Sequence, residues 1–235
     1  MQDFSTAFGL AFSMILGADA DLMEIIYLSL RVSITAVLLA MMIGFPLGAL
    51  MAVVRFPGRQ ALAVMLNALM GLPPVVVGLL VYMSISRAGP LGWLNLLYSP
   101  TAMIIAQTIL VTPIVAALTR QIVEDLHSEY DEQFRSRCIP MHQVITALIW
   151  DARYSLLTVS LAGFGRAIAE VGAVILVGGN IDHLTRVMTT AIALETSKGD
   201  LALALALGII LLILALSVNA AAYGLRSSAK HLSYA

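Results

Sequence analysis

Four uncharged runs, each long enough to cross a lipid bilayer, constrain this chain more than any other feature. They cover residues 32–54, 60–86, 100–119 and 201–225. A helix rises about 1.5 Å per residue and the hydrocarbon core is about 30 Å thick, so a span needs about 20 largely apolar residues. A fifth run, 154–177, is equally apolar but holds two ionisable residues. We therefore predict an all-α, polytopic membrane protein, a single domain over 1–235 with five transmembrane helices.

Composition supports this fold class and excludes several functions. Apolar residues make up 60% of the chain and charged residues 11%, whereas soluble domains have about a quarter charged residues. The net charge of −1 gives no basic surface for nucleic acid. The single cysteine, Cys138, excludes an internal disulfide, and the four histidines lack the spacing of a metal site. We expect no metal and no cofactor on this chain.

The N-terminal segment, 1–23, differs from the five spans. Phe4, Phe8, Phe12 and Ile15 recur on one helical stripe within an uncharged stretch too short for an ordinary span. Such a pattern is typical of an amphipathic helix that lies in the membrane interface. A sixth, short span is the alternative.

The distribution of lysine and arginine predicts the orientation. Eight of these residues lie in the loops after the first, third and fifth spans, and four lie in the loops on the opposite side. Positively charged loops are retained in the cytoplasm. We therefore expect the N-terminus outside and the C-terminus inside a prokaryotic cytoplasmic (inner) membrane, which places residues 120–153 in the cytoplasm.

Residues 120–153, the charged segment, carry ten of the chain's formally charged side chains. Asp131 stands four residues before Arg135, the favoured order for an intrahelical ion pair, so the first part is predicted to be a helix that extends the third span. Pro140 disfavours helix at Ile139 and suits the start of a new helix, which predicts a sharp turn. An amphipathic helix follows, with its apolar stripe formed by Met141, Val144, Ile145, Leu148 and Ile149.

The apolar stripe of this second helix has two interpretations. A helix that rests on the inner leaflet and a helix that docks into a groove of a partner protein show the same pattern. The density of charges ahead of the turn favours docking. The charged segment is therefore predicted to be a cytoplasmic coupling region with a short coupling helix.

Arg166 and Glu170 lie four residues apart in the fifth apolar run. This spacing puts them on one helical face, where each can neutralise the other. Ionisable groups at membrane depth mark either a transport pathway or a structural lock. We favour the lock, because a substrate anion would compete with Glu170 for Arg166.

Residues 178–200 form the predicted loop on the outer side. Gly178, Gly179 and Asn180 have turn chemistry, and the stretch of about 184–197 reads as a short helix that is too polar to span. A helix that packs on the outer face and a contact for an external soluble protein both fit this pattern.

Several blocks of sequence resemble one family of transport proteins. They are GLPPVVVG at 71–78, SPTAMIIAQT at 99–108, and above all GFGRAIAEVGA at 163–173, which runs into VGGNI at 177–181. The chain resembles the membrane permease subunits of ATP-binding-cassette (ABC) importers of the molybdate and tungstate type, and most closely the tungstate permeases. The resemblance implies a type I ABC importer permease fold.

Permeases of this family carry a cytoplasmic EAA loop that contacts the ATPase. The family pattern is a glutamate, two alanines and, after three more residues, a glycine. In this chain it begins at Glu132, and Gln133, Phe134 and Cys138 stand where the family has its small residues. The residues that the resemblance assigns to the ATPase contact are Glu132, Phe134, Arg135, Cys138, Ile139, Pro140, Met141 and His142.

The resemblance also implies the partners and the cargo. It implies a homodimer of permeases, a cytoplasmic ATPase dimer that holds ATP and magnesium, and an extracytoplasmic binding protein that would meet Gly178, Gly179 and Asn180. The cargo would be an oxyanion, most closely tungstate and next molybdate. Gly44 and Gly48, at GxxxG spacing, offer a close-packing face for the second copy.

The chain is predicted to be a transport subunit and not an enzyme. It has no Walker-type glycine loop for ATP and no metalloprotease or nucleophile-elbow motif. The alternative is a stand-alone secondary transporter or channel that uses Arg166 and Glu170 as its charge relay. Such transporters commonly show paired internal repeats, and the sequence shows no convincing repeat.

Overall fold

A computed structural model describes residues 2–17 and 20–233 of the chain. Within this part the fold is all-α, as predicted, with one 3₁₀ turn at Gly92–Leu94 and no strand. The helices are α1 Gln2–Leu16, α2 Ala20–Val53, α3 Arg59–Met70, α4 Pro74–Ile85, α5 Pro100–Ser136, α6 Met141–Asp151, α7 Arg153–Ile168, α8 Gly172–Gly178, α9 Met188–Lys198 and α10 Leu201–Ser233.

Three of the described helices, α2, α5 and α10, are long and apolar enough to cross a membrane alone. Two bent pairs pass the same test together: α3 and α4 meet at 98°, and α6 and α7 meet at 71°. The predicted number of five spans is reached when each bent pair crosses once. Pro73 and Pro74 produce the first bend, because proline lacks the N–H that would continue the helix before it.

The predicted span at 154–177 is not one helix. α7 ends at Ile168, and α8 begins only at Gly172. The carboxylate of Glu170 accepts a hydrogen bond from the backbone N–H of Ala173 at 3.1 Å, which caps the first turn of α8. A side chain that satisfies a free N–H in this way allows a helix to break at membrane depth.

The packing of α2 against α5 forms the centre of the bundle. Gly44 and Gly48 are both buried there, since a Cβ atom at Gly48 would lie 2.5 Å from the carbonyl oxygen of Ala116 and one at Gly44 would lie 2.7 Å from a methyl group of Val115. The GxxxG face is therefore used inside the chain. The expectation that it packs against a second copy is wrong, because the pattern shows close approach but not to which helix.

Three charged side chains hold the end of this helix pair. Arg59 donates hydrogen bonds to the carbonyl oxygens of Met51 and Ala52 at 2.8 and 3.1 Å, which caps the C-terminus of α2. Its guanidinium also pairs with Glu124 on α5 at 2.5 Å, and Arg120 pairs with the other oxygen of Glu124 at 2.5 Å. The loop between α2 and α3 is thereby fixed to α5.

α1 packs on α10 through its small residues. Ala7 and Ala11 are buried, and Ala11 shares a cluster with Leu207 and Ile210. Phe8, Phe12 and Ile15 face away from the protein and are exposed, while the side chain of Phe4 lies outside the described set. The exposed aromatic stripe is available to lipid, so the interfacial helix at 1–23 stays a prediction beside the short span.

The close approach of α2 and α5 can be tested with matched substitutions of glycine. Gly48→Ala places a methyl group into the backbone of α5, so we expect a loss of about 1–3 kcal/mol in stability. Gly208→Ala in α10 is the control, because no atom lies within 4 Å of its added Cβ. Thermal unfolding in lipid nanodiscs should show a melting temperature lowered by several degrees for the first variant alone. Equal melting of both variants would contradict this packing.

Candidate functional site

α5 continues as one helix far beyond its uncharged run. It passes through the first part of the charged segment and ends at Ser136, so the predicted helical extension is confirmed. Arg135 pairs with Asp131 at 2.8 Å, as the spacing predicts. Glu132, the first residue of the family's EAA pattern, is exposed on this extension. The charged segment therefore begins as a rigid rod attached to the core of the bundle.

The turn predicted near Cys138 lies between α5 and α6. The backbone N–H groups of Cys138 and Ile139 close it by donating to the carbonyl oxygens of Arg135 and Phe134, at 3.1 and 3.2 Å. Cys138 itself has a φ of 49°, in the left-handed region that glycine occupies most easily. A side chain there costs about 1–2 kcal/mol. The position that matches the family's glycine thus has a glycine-like conformation, although the residue is cysteine.

α6 begins directly after Pro140 and turns its apolar stripe towards its own chain. Val144 and Leu148 are buried against Ala52 of α2 and Val123 of α5. The middle of the stripe is therefore covered by the protein's own helices, whereas Met141 at its start is exposed. The face left open consists of Met141, His142, Gln143, Thr146 and Ala147, which are all exposed.

Tyr130 fastens the helical extension of α5 to the end of α6. It hydrogen-bonds Asp151, and the charge of Asp151 is the main cause that raises the pKa of the phenol. Its ring also meets Phe134 edge-on, with 6.0 Å between the ring centroids. These contacts make α6 and the extension of α5 one unit.

An open groove of about 420 Å³ lies beside the turn. The end of α2 and the extension of α5 form its walls, where Arg55 and His127 lie, and α6 closes one side. Of the eight predicted contact residues, five line this groove, and Glu132, Pro140 and His142 are exposed outside it. The five are Phe134, Arg135, Cys138, Ile139 and Met141.

Arg166 and Glu170 form the predicted ion pair, with 3.0 Å between Nη1 and Oε2. They do not share one helix, because Glu170 lies in the break between α7 and α8. The Glu170 side chain is 3% exposed, whereas that of Arg166 is 33% exposed. The backbone carbonyl of Glu170 also accepts a hydrogen bond from Thr189 at 2.8 Å. Glu170 thus joins α7, α8 and α9 at one point.

Gln107 lies beside this junction and was missed by the sequence reasoning. Its amide is buried and donates to the carbonyl oxygen of Ala167 at 3.0 Å. The same carbonyl, at the end of α7, also accepts a hydrogen bond from the backbone N–H of Glu170 at 3.2 Å. Its Oε1 has no hydrogen-bond partner within the described residues. The available signal was that Gln107 is the one amide in the uncharged run 100–119.

The predicted outer loop places its three turn residues differently. Gly178 is buried, since a Cβ there would lie 2.9 Å from the sulfur of Met103, and its carbonyl accepts a hydrogen bond from Thr185. Gly179 has a φ of 73°, is exposed and lies against the ring of Tyr98. Asn180 is half-buried. The surface of Gly178 is therefore not open to a partner.

The predicted helix of this loop is α9, which begins four residues later than expected. Its first turn is buried, and the backbone N–H of Met188 donates to Ser29 on α2 at 2.8 Å. Ahead of α9, His183 pairs with Glu24 at 2.8 Å. The hydrogen bond that the ring of His183 donates to Glu24, followed by the charges of Asp182 and Glu24, raises the pKa of His183. The loop is thus fastened to the start of α2.

Comparison with known proteins identifies the class to which this bundle belongs. Residues 44–230 match the family of binding-protein-dependent transport system inner membrane components, and the chain belongs to this family. It is a multi-pass membrane permease of the ABC transporter type, which agrees with the resemblance read from the sequence.

Three relatives narrow the class. The chain is 39% identical to the tungstate uptake system permease protein TupB of Peptoclostridium acidaminophilum, over 96% of this chain and 99% of the relative. It is 39% identical to a probable anion ABC transporter permease of Haloferax volcanii, over 77% and 80% of the two chains. It is 36% identical to the TupB protein of Campylobacter jejuni, over 63% and 62%.

The ion pair that fastens the loop at 178–200 to α2 should respond to pH. Because the pKa of His183 is raised above its usual 6.5, the charged pair with Glu24 is complete at acidic pH and is lost as the pH rises through the folded value. We expect Glu24→Gln to bring the pKa of His183 back towards 6.5. Histidine NMR in nanodiscs measures it, with His183→Gln to assign the signal. An unchanged titration of His183 would show that Glu24 is not its partner in solution.

Proposed function

We propose that this chain is the permease subunit of an ATP-driven importer for an oxyanion, tungstate in first place and molybdate next. The observation that carries the proposal is the likeness to a tungstate permease over nearly the whole length of both chains. The other two relatives are named for tungstate and for an anion. We propose for this chain the cargo that these relatives are named for.

The charged end of the bundle is the proposed contact for the ATPase. Glu132, Arg135, Cys138, Met141 and His142 are exposed there, on the turn and on the two helix ends that flank it. Phe134 and Ile139 pack beneath them, and Pro140 starts α6. ATP and magnesium would bind to the partner ATPase dimer. A force applied to this surface would reach the bundle, because α6 packs directly on α2 and α5.

The opposite end is the proposed contact for the extracytoplasmic binding protein. Gly179 and the exposed side of α9 are open to solvent there, and Asn180 lies at the edge of this surface. In this arrangement the charged segment is cytoplasmic, the N-terminus is outside and the C-terminus is inside. The excess of lysine and arginine in the loops at the charged end supports this orientation.

A second copy of the chain completes the proposed translocation path. Up to five spans are few to enclose a polar conduit, and one side of α4 is exposed in the single chain. Since Gly44 and Gly48 are used inside the chain, the second copy would pack on a different surface. Lipid would cover the remaining apolar faces.

Uptake by the reconstituted assembly tests the function and its cargo. Proteoliposomes that contain the permease, its ATPase and its binding protein should take up tungstate only when ATP is present on the side of the membrane where the ATPase lies. Molybdate should compete more weakly, and sulfate more weakly still. Sulfate competition equal to that of tungstate would overturn the assignment of cargo. Flux from the permease alone, driven by an ion gradient, would instead support the stand-alone transporter.

A single-cysteine crosslink tests the ATPase contact. Cys138 is the one cysteine of the chain and is exposed, so a short bifunctional thiol reagent should join it to a cysteine placed in the groove of the ATPase. We expect the yield to change between the ATP-bound and nucleotide-free states. The matched control is Cys138→Ser with Thr196→Cys, an exposed position on α9 at the opposite end. Absence of any Cys138 crosslink in every nucleotide state would contradict the contact.

A further inference from the structure

We propose that Arg166 is a specificity residue of the translocation path, where its guanidinium contacts the passing oxyanion while Glu170 holds it in place. This inference rests on the proposed function for the identity of the anion. Its structural basis is the depth of Arg166, the unequal burial of the ion pair and the character of the surface around it.

Arg166 lies beside the uncharged stretch of α5, away from both of its ends. One turn before it, Gly163 packs against Val111 and Val115 of α5. Directly after it, the carbonyl oxygen of Ala167 accepts the hydrogen bond from Gln107. These three residues of α5 lie about 10–22 Å from the start of an uncharged helical run that is about 30 Å long. Lipid at this depth does not accommodate an exposed guanidinium.

The two members of the ion pair are buried unequally. The carboxylate of Glu170 is almost fully buried and both oxygens are engaged, one by the N–H of Ala173 and the other by Nη1 of Arg166. A third of the Arg166 side chain is exposed, and Glu170 is its one ion-pair partner among the described residues. A guanidinium carries five N–H donors. The half-exposed guanidinium of Arg166 therefore has N–H donors left over after the bond to Glu170.

The surface around Arg166 differs from the faces that suit lipid. Ser155, Ala162 and Ala169 are exposed along the same side of α7, and a Cβ at Gly165 would meet nothing within 4 Å. The exposed face of α10 carries large aliphatic side chains instead: Leu212, Ile213 and Leu216. A stripe of small residues that carries a charged group suits a water-filled path, where ionisable residues in membranes are usually found.

The arrangement is chemically suited to a transient contact with a tetrahedral oxyanion. A guanidinium offers two parallel N–H groups that match two oxygens of such an anion. Glu170 does not have to be displaced, because it holds the other edge of the guanidinium. Its negative charge also weakens the attraction for a second anion, and a path must release its ion as readily as it binds it.

Thiol labelling tests whether Arg166 faces an aqueous anion path. In a Cys138→Ser background, Ala169→Cys should react with a small sulfonate-bearing methanethiosulfonate at least tenfold faster than with an ammonium reagent of similar size. Arg166→Gln should abolish this preference. Leu212→Cys, on the aliphatic face of α10, should react with neither reagent. The proposal is overturned if Ala169→Cys stays unlabelled in every nucleotide state, if it forms a disulfide with a second copy instead, or if it shows no preference for the anion.

Uptake by the assembled importer separates a path residue from a structural lock. We expect Arg166→Gln to lower tungstate uptake at least tenfold, while the loaded binding protein still stimulates the ATPase. A lock predicts that the uncharged double variant, Arg166→Gln with Glu170→Gln, regains uptake, and such a rescue would overturn the proposal. Arg166→Lys should retain partial uptake with altered discrimination between tungstate and sulfate. If the wild-type assembly carries no oxyanion, the proposed function fails. The ratio of the labelling rates of Ala169→Cys with the two reagents still tests whether Arg166 faces an anion path.

Discussion

The close contact between α2 and α5 is the constraint on which the rest of this structure depends. Gly44 and Gly48 bring the two backbones together, and other helices pack on this pair. The end of α2 provides the apolar surface on which α6 packs, and its backbone carbonyls accept the hydrogen bonds of Arg59. The middle of α5 supplies the amide of Gln107 and the valines against which α7 packs.

Backbone groups that would be unsatisfied in lipid explain the polar cluster at the break between α7 and α8. Where a helix breaks in a membrane, its free N–H and C=O groups need partners from the protein. Glu170 serves the N–H of Ala173, Gln107 serves the carbonyl of Ala167, and Thr189 serves the carbonyl of Glu170 itself. Glu170, which permits the break, also holds the half-exposed guanidinium of Arg166.

Sequence reasoning was sufficient where the signal was local. The uncharged runs predicted the long helices, Pro140 predicted the turn before α6, and the spacing of Asp131 and Arg135 predicted their ion pair. It was insufficient where the answer depended on a distant partner. A GxxxG pattern does not say which helix it meets, and a stripe of apolar residues on α6 does not say that its own chain covers it.

Long-range contacts at the functional sites had no sequence signal of their own. His183 and Glu24 are 159 positions apart, as are Met188 and Ser29. The break in the fifth apolar run was hidden because its residues are as apolar as those of a continuous helix. Glu170 was read as one half of an ion pair, whereas its additional bond to the N–H of Ala173 is what shapes the chain there.

The length of α5 has a mechanical consequence. Its 37 residues make a rod about 55 Å long that runs from Pro100 to the turn at Cys138. If the rod pivoted near Pro100, a tilt of about 10° would carry Ser136 sideways by about 10 Å, by the same rise per residue. α2 would have to swing with it, because their backbones touch. A small rotation of α5 in the membrane would thus produce a large displacement at the charged end. Pro113 is the one proline inside α5, and prolines are where helices bend.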